Sequence, residues 1–283
     1  MQPKLSIITI NYNNLEGLKK TAESVINQTW KEFDWIIIDG GSTDGSKEYI
    51  VKLNDELTHN GWNPIAFWCS EPDKGIYNAM NKGIGKAQGE YLNFMNSGDC
   101  FYENRTLDEF MKKANFSADI IYGDWVFVHS DYESICKYNE NFDIYDLYMR
   151  NICHQAMFIK SVHLHNEGFN EKYKIVADYA KWMSFALKGR TFERVDSIIC
   201  KHDMFGISYQ MQDLFNQERQ EMLNDIVPKL TLKLLKKHEL IEKNEIYSRV
   251  RCIEKNGGLT LKILKSILEI VDMIALFKRK IHR

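Results

Sequence analysis

The chain has 283 residues, 44% apolar and 27% charged, which suffices for a full core and excludes intrinsic disorder. Four prolines and 16 glycines exclude collagen-like or low-complexity organisation, and no run of apolar residues approaches the length of a membrane span. The net charge of −2 splits into an acidic body and a basic end, since Lys229 to Arg283 carries 14 Lys/Arg against 6 Asp/Glu. That split suits a tail on anionic lipid or a solvated helical tail, and argues against a nucleic-acid partner.

Met1 to Asn11 lacks the basic start and long apolar region of a signal peptide and reads as the approach to a first strand, Leu5–Ile10. Asn13 or Asn14 can cap a helix with Leu15, Leu18, Ala22, Val25 and Ile26 on one stripe. A second strand spans Phe33–Ile38, followed by a helix through Tyr49, Ile50 and Leu53 with Ser42 or Asp44 as cap. The third strand is Ile65–Cys69, the third helix Ile76–Gln88 closed by Gly89, and the fourth strand Glu90–Met95. Apolar strands alternating with helices predict parallel βαβ units of an α/β nucleotide-binding sheet. Beyond a helix at Thr106–Ala114 the pattern weakens. Two short strands, Ile120–Tyr122 and Trp125–Val128, flank Gly123-Asp124, a helix covers Asp178–Leu187, and the chain is mostly helical after Ser208, interrupted at Pro228 and Gly257-Gly258. The six cysteines include no CxxC pair, which argues against a zinc ribbon or disulfide framework and predicts a reducing, cytoplasmic setting.

Ligands of open parallel sheets bind at the carboxyl ends of the strands. Asn11, Tyr12 and Asn13 follow the first strand, Asp39 to Asp44 the second, Glu71, Asp73 and Lys74 the third, and Asn96, Ser97, Gly98 and Asp99 the fourth. Each group alone is an ordinary turn or cap; four in register at one edge predict a site. Gly83-Ile84-Gly85 with Gly89 fails the spacing of a dinucleotide fingerprint, and no GxxxxGK[ST] loop occurs. A pyrophosphate is therefore best neutralised by Mn2+ or Mg2+ on a carboxylate, with Asp99 the candidate.

The blocks Leu5–Asn13 (LSIITINYN), Ile36–Ser46 (IIIDGGSTDGS), Ser70–Gly83 (SEPDKGIYNAMNKG) and Gly89–Asp99 (GEYLNFMNSGD) resemble family 2 glycosyltransferases of the GT-A fold. His154-Gln155, Gly168-Phe169-Asn170 and Val176-Ala177-Asp178-Tyr179 resemble acceptor-side blocks of the branch that builds polysaccharides and lipid-linked oligosaccharides. The resemblance implies a Rossmann-like mixed sheet flanked by helices, a GT-A domain over residues 1–228 and a basic helical extension over 229–283. It also implies metal-dependent, inverting transfer from a nucleotide sugar, a UDP-sugar favoured, to a hydroxyl of a glycan or lipid-linked glycan.

By the same similarity, Asn11, Tyr12, Asp39, Asp73, Lys74 and Ser97 hold the nucleotide, Tyr12 stacking on the base and Asp39 hydrogen-bonding it. Asp99 binds the metal, Asp178 is the general base, and His154 and Gln155 meet donor sugar or acceptor; His202, just before the Gly206-Ile207-Ser208 turn, is by its place a candidate second ligand. Each residue also has a plain structural alternative, such as Asp178 as a helix-start residue or His202 as a packed histidine. Asn96 and Gly98 stand where the family commonly has Asp, leaving Asp99 as the one carboxylate of its turn. A nucleotidyltransferase, or a binding module without catalysis, stays open at this level. The apolar stripe of Leu259–Phe277 and the basic terminus fit either contact with the inner face of the plasma membrane or a homodimer.

Overall fold

β1 (Leu5–Asn11) is buried at every position, because it lies in the middle of a sheet covered on both faces. Around it, β2 (Phe33–Asp39), β3 (Ile65–Ser70) and β4 (Tyr91–Phe94) run parallel in the order β3-β2-β1-β4. The helices α1 (Leu15–Ile26), α2 (Ser46–His59) and α3 (Ile76–Ile84) connect them. The Asn14 side chain accepts from Gly17 N and starts α1, whose stripe Leu18, Ala22 and Val25 joins Leu5, Ile7, Trp35 and Ile37 in one core. Each such buried side chain contributes roughly 1.5–3 kcal/mol. Inside this core Trp35 Nε1 is satisfied, donating to Thr9 Oγ1 at 2.9 Å. The computed structural model describes residues 4–140, 142–203 and 210–244.

The second half extends the same sheet as β8-β6-β9-β5, with β7 also paired to β6. In chain order it comprises β5 (Cys100–Phe101), α4 (Thr106–Lys113), β6 (Ile120–Val128), β7 (Glu133–Cys136), α5 (Ile144–Met149) and a 3-10 turn (His154–Ala156). β8 (Met157–Lys160), α6 (Ser161–Asn166), α7 (Ala177–Leu187), β9 (Phe192–Asp203) and α8 (Gln212–Ile226) follow. β8 is antiparallel to both β4 and β6, whereas β9 is parallel to β6, so the sheet is mixed. Glu218 on α8 accepts from the backbone N–H groups of Lys174, Ile175 and Val176 at 2.8–3.3 Å, fixing the entry into α7. The chain divides into two compact units at Val227/Pro228, the second opening with α9 (Lys229–Glu242).

Several sequence expectations need correction. α3 stops at Ile84 with Gly85 as C-cap rather than running to Gln88. α2 is capped in position by Gly45 at φ 96°, which frees Asp44 to accept from Leu15 N at 2.8 Å and Ser46 N at 3.1 Å. Gly123-Asp124, expected to separate two short strands, is the middle of one continuous strand, β6. Asp124 is buried there because Arg194 of β9 pairs with it at 2.6 Å, and a Cβ on Gly123 would lie 2.5 Å from Ser197 O. β9 itself was not anticipated, since Glu193, Arg194 and Asp196 interrupt its apolar pattern. β5, β7, β8, α5 and α6 also lie outside the expected elements. The expectations for Gly257-Gly258 and Leu259–Phe277 fall outside the described residues.

Gly89, just before β4, lies so close to β1 that a Cβ would meet Ser6 N and Leu5 C, both backbone atoms that cannot give way. Gly89→Ala is expected to destabilise the protein by about 1–3 kcal/mol, the cost of forced overpacking. Urea unfolding followed by circular dichroism measures it.

Candidate active site

The carboxyl ends of the four parallel strands are tied together by one polar chain. Ser70 Oγ donates to Asp39 Oδ2 at 2.6 Å, and Asn11 Nδ2 donates to Asp39 Oδ1 at 2.7 Å. Ser97 Oγ donates in turn to Asn11 Oδ1 at 2.7 Å. Ser42 adds its hydroxyl and its backbone N–H to Asp39. Burial alone would push the Asp39 carboxyl up; the bonds from Ser42, Ser70 and Asn11 outweigh it and hold it below the ordinary range.

Beside this chain opens a cavity of about 1130 Å3, lined in part by Asn11, Tyr12, Asp73, Ser97, Asp99, His154, Gln155, Asp178 and His202. At its rim the Tyr12 side chain is 66% exposed. A Cβ on Gly40 would lie 2.6 Å from Asp73 Oδ2 and 3.1 Å from the Tyr12 ring, so these two side chains close around that glycine.

Two buried carboxylates face the cavity. Asp178 Oδ1 accepts from Tyr77 OH at 2.9 Å and Tyr179 N at 2.8 Å. Its Oδ2 meets His154 Nδ1 at 3.1 Å and accepts from Asn151 Nδ2 at 3.3 Å. Burial raises the Asp178 carboxyl, but the bond and charge of His154, then the Tyr179 N–H and Tyr77 hydroxyl, bring it below the ordinary range. His154 answers: burial lowers its imidazole, and the Asp178 bond and charge carry it above the ordinary value. Both partners therefore favour an ion pair.

The second carboxylate, Asp99, accepts from Gln155 Nε2 at 2.6 Å on Oδ2, and its Oδ1 lies 3.0 Å from His202 Nδ1. Among the described residues no three His, Cys, Asp or Glu gather as a metal cluster. A carboxylate oxygen and an imidazole nitrogen meeting in one cavity nevertheless form a donor pair that fits a divalent cation whose other ligands come from a diphosphate and water.

The structure thus gathers nine of the eleven sequence-picked side chains in the lining of one cavity, and two lie outside that lining. Asp39 is fully buried behind Asn11, its oxygens taken by Asn11, Ser42 and Ser70. Lys74 is exposed outside the lining, its backbone N–H bonded to Asn78. Tyr77, Asn151 and Cys153 line the cavity and were not singled out from sequence. Tyr77 reads there as one more apolar position of α3, and its hydroxyl contact to Asp178 is 101 residues distant in the chain. Asn151 Oδ1 is buried without a hydrogen-bond partner, leaving an acceptor for a ligand's hydroxyl, while the Asn96 amide lies 3.0 Å from His154 Nε2.

The family profile for glycosyl transferase family 2 matches residues 6–178, more than half of the chain. The protein belongs to glycosyltransferase family 2. This glycosyltransferase is 30% identical over 188 residues to a Mycobacterium bovis PGL/p-HBAD biosynthesis glycosyltransferase, covering 62% of this chain and 67% of the relative. An uncharacterized Mycobacterium tuberculosis glycosyltransferase is 43% identical over 101 residues, 35% of each chain. Among solved structures, the Pyrobaculum calidifontis mannosyltransferase PcManGT, in complex with GDP-Man and Mn2+, superposes with a TM-score of 0.62 at 14% identity, covering 95% of this chain and 81% of its own. S. aureus TarS 1-349 in complex with UDP-GlcNAc gives 0.59 at 14% identity, covering 80% and 68%. These likenesses establish the GT-A fold, the mixed sheet flanked by helices that the sequence motifs implied.

Tyr77→Phe in the glycosyltransferase removes one donor from the Asp178 carboxylate, so that carboxyl is expected to titrate at higher pH. The stability from a depressed carboxyl is present at neutral pH and lost as pH falls through its folded value. The variant is therefore expected to be less stable by about 1.5–3 kcal/mol near neutral pH, the gap narrowing in acid but not vanishing, because the same hydroxyl also bonds Ile175 O at 2.7 Å. Urea titrations across a pH series read both.

Proposed function

We propose that this glycosyltransferase performs an inverting, metal-dependent transfer from a UDP-sugar to a hydroxyl of a growing surface glycan or lipid-linked glycan. The observation that carries the reading is the pair of buried carboxylates in one cavity, each in a different electrostatic setting. Asp178 has a histidine counter-charge and a hydroxyl donor; Asp99 has an imidazole and an amide beside it. Inversion asks for that division of labour, with a base on the acceptor side and charge stabilisation on the leaving-group side.

In this reading the acceptor hydroxyl approaches Asp178 Oδ2, where the 3.3 Å contact from Asn151 is the longest of the four that hold the carboxylate. As the acceptor oxygen bonds to the anomeric carbon from the face opposite the diphosphate, Oδ2 takes its proton and the sugar–phosphate bond breaks. Tyr77 and His154 keep the carboxylate oriented and ionised until then. Tyr12 stacks on the nucleotide base, Asp73 closes over it, and Asn11 and Ser97, held by Asp39, shape the floor below the diphosphate. Asp99 and His202 are the residues that would hold Mn2+ or Mg2+, whose charge stabilises a departing diphosphate. The UDP-GlcNAc bound by TarS and the GDP-Man bound by PcManGT support a nucleotide-sugar donor. A thermal-shift screen of UDP- and GDP-sugars decides the base.

Asp178→Asn is expected to leave donor affinity unchanged and to lower transfer by roughly 100-fold or more, the scale of a positioned general base. A variant that instead melts early yet transfers normally in its folded fraction removes Asp178 from the mechanism.

Asp99→Ala is expected to abolish Mn2+-dependent donor binding and to reduce turnover by orders of magnitude. Calorimetric titration of UDP-sugar with Mn2+ and with chelator reads the binding directly. Wild-type behaviour in chelator for both proteins would refute the metal role and favour a metal-independent enzyme.

A further inference from the structure

The solvent side of α9 carries a pattern that the transfer reaction does not use. Leu230, Leu234 and Ile241 are exposed, Leu230 by 70% and Leu234 by 58%. At about 100° per residue they fall within roughly 40° of one another on the helix. Lys237, Lys233, Leu240, Lys229 and Lys236 follow in that order along one side of this line, and all are exposed. The acidic residues of the helix, Glu239 and Glu242, lie on the opposite side with the buried Leu232 and Leu235. Among the described residues no ion pair involves Lys229, Lys233, Lys236 or Lys237. The ion pair of Glu239 with Lys243 at 2.6 Å lies off this face.

We propose that this face of α9 docks on an anionic phospholipid surface, the leucines entering the headgroup boundary and the lysines meeting lipid phosphates. Charge selects this occupant over two others. The residues after Asn244 hold nine Lys/Arg against four Asp/Glu, so the chain's own remaining segment has the same sign as the face. A second copy would bring four further lysines against the first four. An anionic bilayer accepts both the apolar centre and the lysine border, and the basic amphipathic helix is the element suited to lie in such an interface. A soluble polyanion would satisfy the lysines and leave the leucine line in water.

The test is co-sedimentation of the full chain with vesicles of equal parts phosphatidylglycerol and phosphatidylcholine, and with phosphatidylcholine alone. The wild type is expected to bind the anionic vesicles, to prefer them to the neutral ones, and to release them as salt is added. The variant carrying Lys229→Glu, Lys233→Glu, Lys236→Glu and Lys237→Glu is expected to lose at least about 100-fold in partitioning. A second variant, Leu230→Ser with Leu234→Ser and Ile241→Ser, is expected to bind weakly even at low salt. All these positions are exposed, so both variants should melt as the wild type does. A wild type that stays in the supernatant at low salt, or either variant binding like the wild type, overturns the proposal. A dimer in sedimentation velocity that dissolves only in the leucine variant, with vesicle binding unchanged, assigns the face to a second copy and also overturns it.

Discussion

His154 and Gln155 are consecutive residues of one 3-10 turn, yet they hold different carboxylates. His154 faces Asp178 across 3.1 Å, and Gln155 donates to Asp99 at 2.6 Å. The turn sits directly ahead of β8, and Asn93 of β4 pins it by donating to the carbonyls of Gln155 and Met157 at 2.9 Å. Asp99 arrives from the loop after β4, Asp178 from α7 and His202 from β9, so three separate parts of the fold converge on this one backbone segment. Without the turn, each of two buried carboxylates would lose one of its partners at once, and under-compensated buried charge is costly.

The other half of the cavity rests on Asp39. A carboxylate with no exposed surface is stable here because Asn11, Ser42 and Ser70 all donate to it. Its burial moves it from the ligand-facing position that motif similarity implies to the position behind Asn11. The side chains that reach the cavity are those it orders, Asn11 and through it Ser97.

The first hundred residues were legible because two simple rules operate there together. Apolar runs of strand length alternate with helical stripes, and every strand ends in residues that can only be turns, caps or ligands. Both rules weaken after Asp99. β9 carries Glu193, Arg194 and Asp196 within its length, and Arg194 is tolerated because Asp124 waits on β6, 70 residues away. The Gly123-Asp124 pair looks like a turn to any local reading and is a strand for the same long-range reason. Tyr77 was invisible as a functional residue because its apolar ring satisfies the helix pattern while its hydroxyl satisfies Asp178. The family motifs singled out Asp178 and His154 across the stretch where periodicity is silent, and membership in the family removes the nucleotidyltransferase reading that the sequence had left open.

β9 lies between β6 and β5 in the sheet, so β5 has no strand partner on that side until β9 is inserted. Cys100 of β5 pairs with Lys201, and Asp99, the residue before it, meets His202. These contacts join positions about a hundred residues apart, and loop closure over such distances is what slows folding. During synthesis, then, the nucleotide-side strands β1 to β4 can pair long before the chain reaches His202. The Asp99–His202 contact can form only when this late strand slides into its slot. Assembly of the enzyme therefore has an order written into its topology, with the strand ends under the cavity laid first and the Asp99–His202 wall closed by the last strand.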